Sequence, residues 1–92
     1  MTTKAANLLR KSIEVINERD STHGDYREHF NQVAKLWSAY LQMDIAPAQV
    51  GVMMALVKLS RDQVGGKHPD HLLDALGYIA LAEATTTEIN DD

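Results

Sequence analysis

Apolar residues recur at helical spacing in four stretches of the chain, and the segments between them are polar or rich in glycine and proline. Ala5, Leu8, Leu9, Ile13 and Ile16 form one stripe on a first helix that Thr2 or Thr3 can cap and that is predicted to run to about Arg19. Residues 20–24, DSTHG, read as a tight loop. Asp25 fits an N-cap, with Glu28 at the capping-box position and Tyr26, Phe30, Val33, Trp37 and Tyr40 or Leu41 as the stripe of a second helix over 26–41. Pro47 suits the first turn of a third helix, where its missing amide donor costs nothing. That helix is predicted to reach about Asp62, with Gly65 and Gly66 ending it, and Pro69 can open a fourth. Leu72, Leu73, Leu76, Ile79, Ala80 and Leu81 give the fourth helix a broad apolar stripe. Beyond Glu83 the residues TTTEINDD offer nothing periodic to bury, so the pattern predicts one helical domain over 1–84 and a disordered acidic tail over 85–92.

Four helices joined by short loops predict an all-α fold, a small antiparallel bundle. No stretch alternates as a strand would. The third helix is apolar almost all round over 50–61, VGVMMALVKLSR, and with the fourth it presents more apolar surface than its neighbours within one 92-residue subunit would cover. A homo-oligomer is expected on that ground, most simply a homodimer burying part of the third helix.

Composition narrows the class. Hydrophobic residues make up 45% and charged residues 24%, as in ordinary globular domains, and the absence of cysteine excludes disulfides, thiolate metal sites and a cysteine nucleophile. A formal charge of −4 argues against a sequence-independent grip on nucleic acid, because Glu14 and Glu18 neutralise the face that carries Lys4, Arg10, Lys11 and Arg19. No apolar run reaches membrane-spanning length and the first residues do not resemble a signal peptide, so a cytoplasmic protein is expected.

Two groups of polar residues could carry chemistry. Lys58 and Arg61 lie three apart on the third helix, and Asp70 and Asp74 four apart on the fourth. If these helices are antiparallel, the two cations approach the two carboxylates. Such a cluster can be a register-fixing ion-pair network, or a site in which Lys58 and Arg61 contact phosphate oxygens while Asp70 and Asp74 hold Mg²⁺. The second group is His23, Gly24, Asp25 and Tyr26. Locally it reads as a turn and a cap, but a glycine ahead of a helix N-terminus also suits an anion, with His23 as donor. His68, His71 and Asp74 recur at intervals of three, yet His68 precedes Pro69, and no tight zinc site is expected.

HGDY at 23–26, F-x-x-x-A-x-L-W-S-A-Y-L at 30–41, Lys58 and Arg61 on the helix over 50–61, and D-x-L-L-D-A-L-G-Y-I-A-L-A at 70–82 together resemble a family of small, mostly phage-encoded proteins of unknown function. The same elements are similar to phage domains associated with nucleotide modification and, more distantly, to the MazG-like all-α nucleoside triphosphate pyrophosphohydrolases. That resemblance implies oligomeric helical proteins that use Mg²⁺ to hydrolyse nucleotides. Asp70 and Asp74 could stand for the second carboxylate motif of those enzymes. Their E-E-x-x-E motif has no counterpart here; Glu14 and Glu18 are the nearest substitute. The resulting expectation is a phage accessory protein, in the host cytoplasm, that binds a nucleotide or related phosphorylated metabolite in an interhelical cleft lined by His23, Asp25, Tyr26, Lys58 and Arg61. Mg²⁺ on Asp70 and Asp74 would serve hydrolysis if it occurs. The alternative is a non-enzymatic protein that engages a host protein, its charged cluster purely structural.

Overall fold

The computed structural model describes residues 3–23, 25–65 and 69–90, with the backbone alone for 20–23, 69 and 87–90. It contains four helices, α1 (Lys4–His23), α2 (Tyr26–Leu41), α3 (Pro47–Val64) and α4 (Pro69–Asn90), and no strand among the described residues.

Local chemistry sets most of the helix ends. Thr3 Oγ1 accepts from the Ala6 amide at 3.1 Å, and the Asp25 carboxylate accepts from the Arg27 amide at 2.9 Å, each satisfying a donor that the first turn of a helix leaves open. Gln42, in the left-handed region at φ 55°, closes α2 by donating its amide to the Ser38 carbonyl. The Ser38 hydroxyl then accepts from the Ile45 amide at 2.8 Å and so holds the α2–α3 connection against the end of α2. Pro47 occupies the first turn of α3, and Gln49 reaches back so that its Oε1 accepts from the Ala46 amide at 2.8 Å. The Gly65 amide closes α3 on the Arg61 carbonyl at 3.0 Å.

Two boundaries differ from the sequence reading. α1 continues through residues 20–23 where a loop was expected, since DSTH contains neither glycine nor proline and its backbone can carry the helix one further turn. α4 continues past Glu83, so the tail predicted over 85–92 starts too early. Thr85 is buried, and the Thr85 and Thr86 hydroxyls donate to the carbonyls of Leu81 and Ala82, at 2.9 and 3.3 Å. Bonding to the carbonyl four residues back lets these polar side chains stay in a helix. Asp91 and Asp92 lie outside the described residues.

The core centres on Phe30 and Ala34 of α2 and Val50 of α3, with Tyr26, Val33, Trp37, Met54, Tyr78 and Leu81 packed around them. The Phe30 ring stacks on Tyr78 at 6.4 Å between centroids and meets Tyr26 edge-on at 5.7 Å. α3 and α4 form the densest contact, made possible by Gly51. A Cβ placed there would stand 2.8 Å from Ala82 Cβ and 3.0 Å from the Tyr78 carbonyl oxygen, so only glycine allows the two backbones to come this close. Contacts step forward along α3 as they step back along α4, from Gly51 against Tyr78 and Ala82 to Lys58 against Asp74.

The stripes read from sequence are only partly the buried ones. On α1, Leu9 and Ile13 are more than half exposed while Ser12 is buried. Tyr40 and Leu41 of α2 and Leu72 and Ile79 of α4 are likewise exposed. A stripe broader than its neighbour can cover leaves its edge in solvent. No helix of the described residues is long and apolar enough to cross a membrane.

Candidate functional site

Three helices leave a groove of about 750 Å³ between them. α1 contributes Val15, Ile16 and Arg19, α2 and its cap contribute Asp25, Tyr26, Arg27, His29 and Phe30, and α4 contributes Leu73, Asp74, Gly77, Tyr78 and Leu81. Its chemistry is divided. The aromatic side chains Tyr26, Phe30 and Tyr78 lie among aliphatic neighbours, and Asn17, Arg19, Asp25, Arg27, His29 and Asp74 supply the polar and charged part of the lining. The Arg27 guanidinium sits 5.3 Å from the Tyr26 ring centroid and 3.8 Å from the Asp25 carboxylate, which places a cation beside an aromatic face.

Gly77 lines the groove. It lies in the interior of α4, where glycine costs about 1 kcal/mol of helix stability relative to alanine. The nearest atom to a Cβ built there is Ile16 Cγ1, at 4.0 Å, so packing does not require glycine as it does at Gly51. A side chain at residue 77 would project toward α1, into the groove lining.

Asp74 is the polar hub. Its Oδ2 lies 3.2 Å from Lys58 Nζ of α3 and its Oδ1 lies 3.3 Å from Arg19 Nη2 of α1, so one carboxylate joins three helices. Asp74 and Lys58 are mostly buried, with side-chain exposures of 14% and 25%, whereas Arg19 is half exposed. The Lys58–Asp74 approach is the one expected from the spacing of the two charge pairs. A second cation on Asp74, Arg19 of α1, was not expected from the sequence, which matched Lys58 and Arg61 to Asp74 and Asp70. Arg19 is three residues beyond Ile16 and seven beyond Ser12, on the face of α1 that the burial of Ser12 shows to be turned inward.

Of the other residues singled out from sequence, Asp25 and Tyr26 line the groove, and Lys58 reaches it through Asp74. Arg61, exposed in the last turn of α3, and Asp70, exposed in the first turn of α4, are not part of the groove lining. His23 ends α1, and its side chain lies outside the described residues, as do Gly24 and His68. Arg27 and His29, which sequence reasoning missed, sit in the first turns of α2 and share the groove with Tyr26.

The arrangement at Asp74 also bears on metal binding. Both carboxylate oxygens already face cations, and no group of three His, Asp or Glu side chains suited to a metal occurs among the described residues. Mg²⁺ favours an octahedral shell of oxygens, and a carboxylate neutralised by a lysine and an arginine is a poor member of one. The donor set at Asp70 and Asp74 therefore does not fit Mg²⁺ as it stands.

Residues 7–86 match the model of a family described as a domain of unknown function, DUF6378, and the chain belongs to that family. It is 35% identical over 79 residues to the Gene 55 protein of Mycobacterium phage L5, an alignment covering 84% of this chain and 51% of that protein. It is 36% identical over 78 residues to the Gene 55 protein of Mycobacterium phage D29, covering 84% of this chain and 52% of that protein. The chain thus spans about half the length of these relatives. No solved structure matches it.

Proposed function

We propose that this member of the DUF6378 family binds a nucleotide, or a closely related phosphorylated metabolite, in the groove among α1, α2 and α4. The observation that carries the reading is the joint lining of one 750 Å³ groove by an aromatic set, Tyr26, Phe30 and Tyr78, and by basic groups, Arg19, Arg27 and His29. Aromatic faces suit a planar base and guanidinium groups suit phosphate oxygens. The volume falls within the range of small-molecule sites. Gly77 adds support, because the helix gives up stability at a position where a larger side chain would narrow that space.

In this reading Lys58 and Asp74 position Arg19, and the antiparallel pairing of α3 and α4 that their contact supports brings the three charges together. Asp25 caps α2 and holds Arg27 beside Tyr26. The activity proposed is binding, independent of Mg²⁺ on Asp70 and Asp74, in the cytoplasm of a phage-infected cell, by a homo-oligomer. The phage origin of the Gene 55 relatives fits that setting.

Thermal melting with a panel of nucleoside mono-, di- and triphosphates tests the proposal. A ligand at about ten times its Kd stabilises by about 1.4 kcal/mol, which for a domain of this size raises Tm by roughly 6–11 °C. Phosphate and pyrophosphate release are followed in parallel with Mg²⁺ present. A melting shift without release is expected. Release would overturn the binding-only form, and no shift with any nucleotide would overturn the site and favour a protein that acts by engaging a host protein.

A further inference from the structure

We infer that the flank of the α3–α4 pair opposite the groove is a self-association face, covered in solution by the same face of a second copy. On α3, Gly51, Ala55, Lys58 and Asp62 form the line toward α4. Val50 and Met54 flank that line on the side of α2, where they pack with Phe30 and Ala34. At about 100° per residue, Val52, Leu56 and Leu59 flank it on the other side. On α4, Asp74, Tyr78 and Ala82 face α3, and Gly77 and Leu81 lie toward α1 in the groove. By the same spacing Leu72 and Ile79 fall on the opposite flank, beside Val52, Leu56 and Leu59. These five large side chains are all exposed.

The dimensions point the same way. The molecule measures 47 × 37 × 24 Å, and 24 Å is the thickness of two helix layers. Its radius of gyration, 14.3 Å, exceeds the roughly 12 Å usual for a domain of this length. A slab two helices thick covers α3 and α4 on one flank only, yet α3 is apolar nearly all round, as buried helices are.

Charge and area favour a second copy as the occupant. The chain is acidic, at −4, so two copies repel over most of their surfaces. Positions 52, 56, 59, 63, 72, 76 and 79 of this flank are uncharged, and its one charged position, Glu83, stands at the end of the α4 row, one turn beyond Ile79. A two-fold axis pairs position i with j and j with i, so an apolar face is self-complementary without any matching of opposite charges. The five side chains of this flank are each 39–58% exposed, so a second copy has a continuous apolar surface to bury there. The groove lies on the other flank and stays open in such a dimer.

Sedimentation equilibrium of the purified chain, without nucleotide, tests the inference independently of ligand binding. At about 100 μM, well above a micromolar Kd, wild type is expected at twice the 10.2 kDa chain mass. Leu56→Lys and Ile79→Lys are each expected to raise the dimer Kd by roughly a hundredfold or more. Ile13→Lys, exposed on α1, is expected to leave it unchanged. Circular dichroism checks that each variant keeps its helix content, and Leu56→Gln replaces any lysine variant that does not fold. A monomeric wild type would overturn the inference. So would association that survives Leu56→Lys and Ile79→Lys, or that Ile13→Lys abolishes.

Discussion

Gly51 of α3 packs against Ala82 of α4 so closely that a Cβ added at Gly51 would stand 2.8 Å from the Ala82 Cβ. The Tyr78 carbonyl oxygen at 3.0 Å is backbone and cannot rotate away. Gly51→Ala is therefore predicted to destabilise the fold by about 1–3 kcal/mol, although alanine is the better helix former. A third neighbour, Phe30 Cε2, stands at 3.1 Å, so Ala82→Gly in the same chain removes the shortest of three contacts and is predicted to restore part of the loss. Chemical denaturation of the two single variants and the double variant measures both effects.

Gly77 makes the opposite prediction. Nothing stands closer than 4.0 Å to a Cβ built there, so Gly77→Ala adds helix propensity without a clash. Its expected effect is a gain of about 0.5–1 kcal/mol. The same denaturation series decides it: a loss comparable to that of Gly51→Ala would mean that α1 packs more tightly on Gly77 than the groove geometry indicates.

The two cations on Asp74 differ in burial, and their energies should differ accordingly. Lys58 is three-quarters buried and Arg19 half exposed. Double-mutant cycles are predicted to give a coupling of about 1–3 kcal/mol for Lys58→Met with Asp74→Asn, and below about 1 kcal/mol for Arg19→Met with Asp74→Asn. Raising the salt concentration should weaken the Arg19 coupling more than the Lys58 coupling. Equal couplings would contradict burial as the source of the difference between the two pairs.

Asp25 is the cap of α2, and Asp25→Ala is predicted to lower stability by about 1 kcal/mol through loss of the bond from the Arg27 amide. Asp25→Ser keeps an acceptor and should recover most of that. Thermal melts of the two variants separate the cap from any general effect of charge.

The features legible in the sequence are those fixed by neighbours in the chain. Thr3, Asp25 and Gly65 set helix ends through bonds within a few residues, Pro47 opens α3 where its missing donor costs nothing, and each does so where the sequence suggests. Lys58 could be matched to Asp74 because both charges sit on otherwise apolar helices joined by a short connection. Rotation about a helix axis is set by distant partners and was less readable. On α1 the apolar residues cover an arc broader than α4 can bury, and the Arg19–Asp74 contact goes with Ser12 turned inward and Leu9 and Ile13 left outside. For the same reason Arg19 reads from sequence as part of a solvated face, and the roles of Arg27 and His29 in the groove go unseen. Asp62, buried near the end of α3, gave no sequence signal beyond lying four residues after Lys58.

Isothermal titration calorimetry on wild type and Gly77→Met tests the central claim, that the groove among α1, α2 and α4 holds a nucleotide, most directly. Methionine is a good helix former with a flexible side chain that can occupy the groove beside Ile16 without forcing the helices apart. The predicted result is saturable binding of the nucleotide that gives the largest melting shift, with its Kd raised at least about tenfold in Gly77→Met, equivalent to about 1.4 kcal/mol, while Tm without ligand is unchanged or higher. Equal affinity in the two proteins, or no heat of binding in wild type, would contradict it.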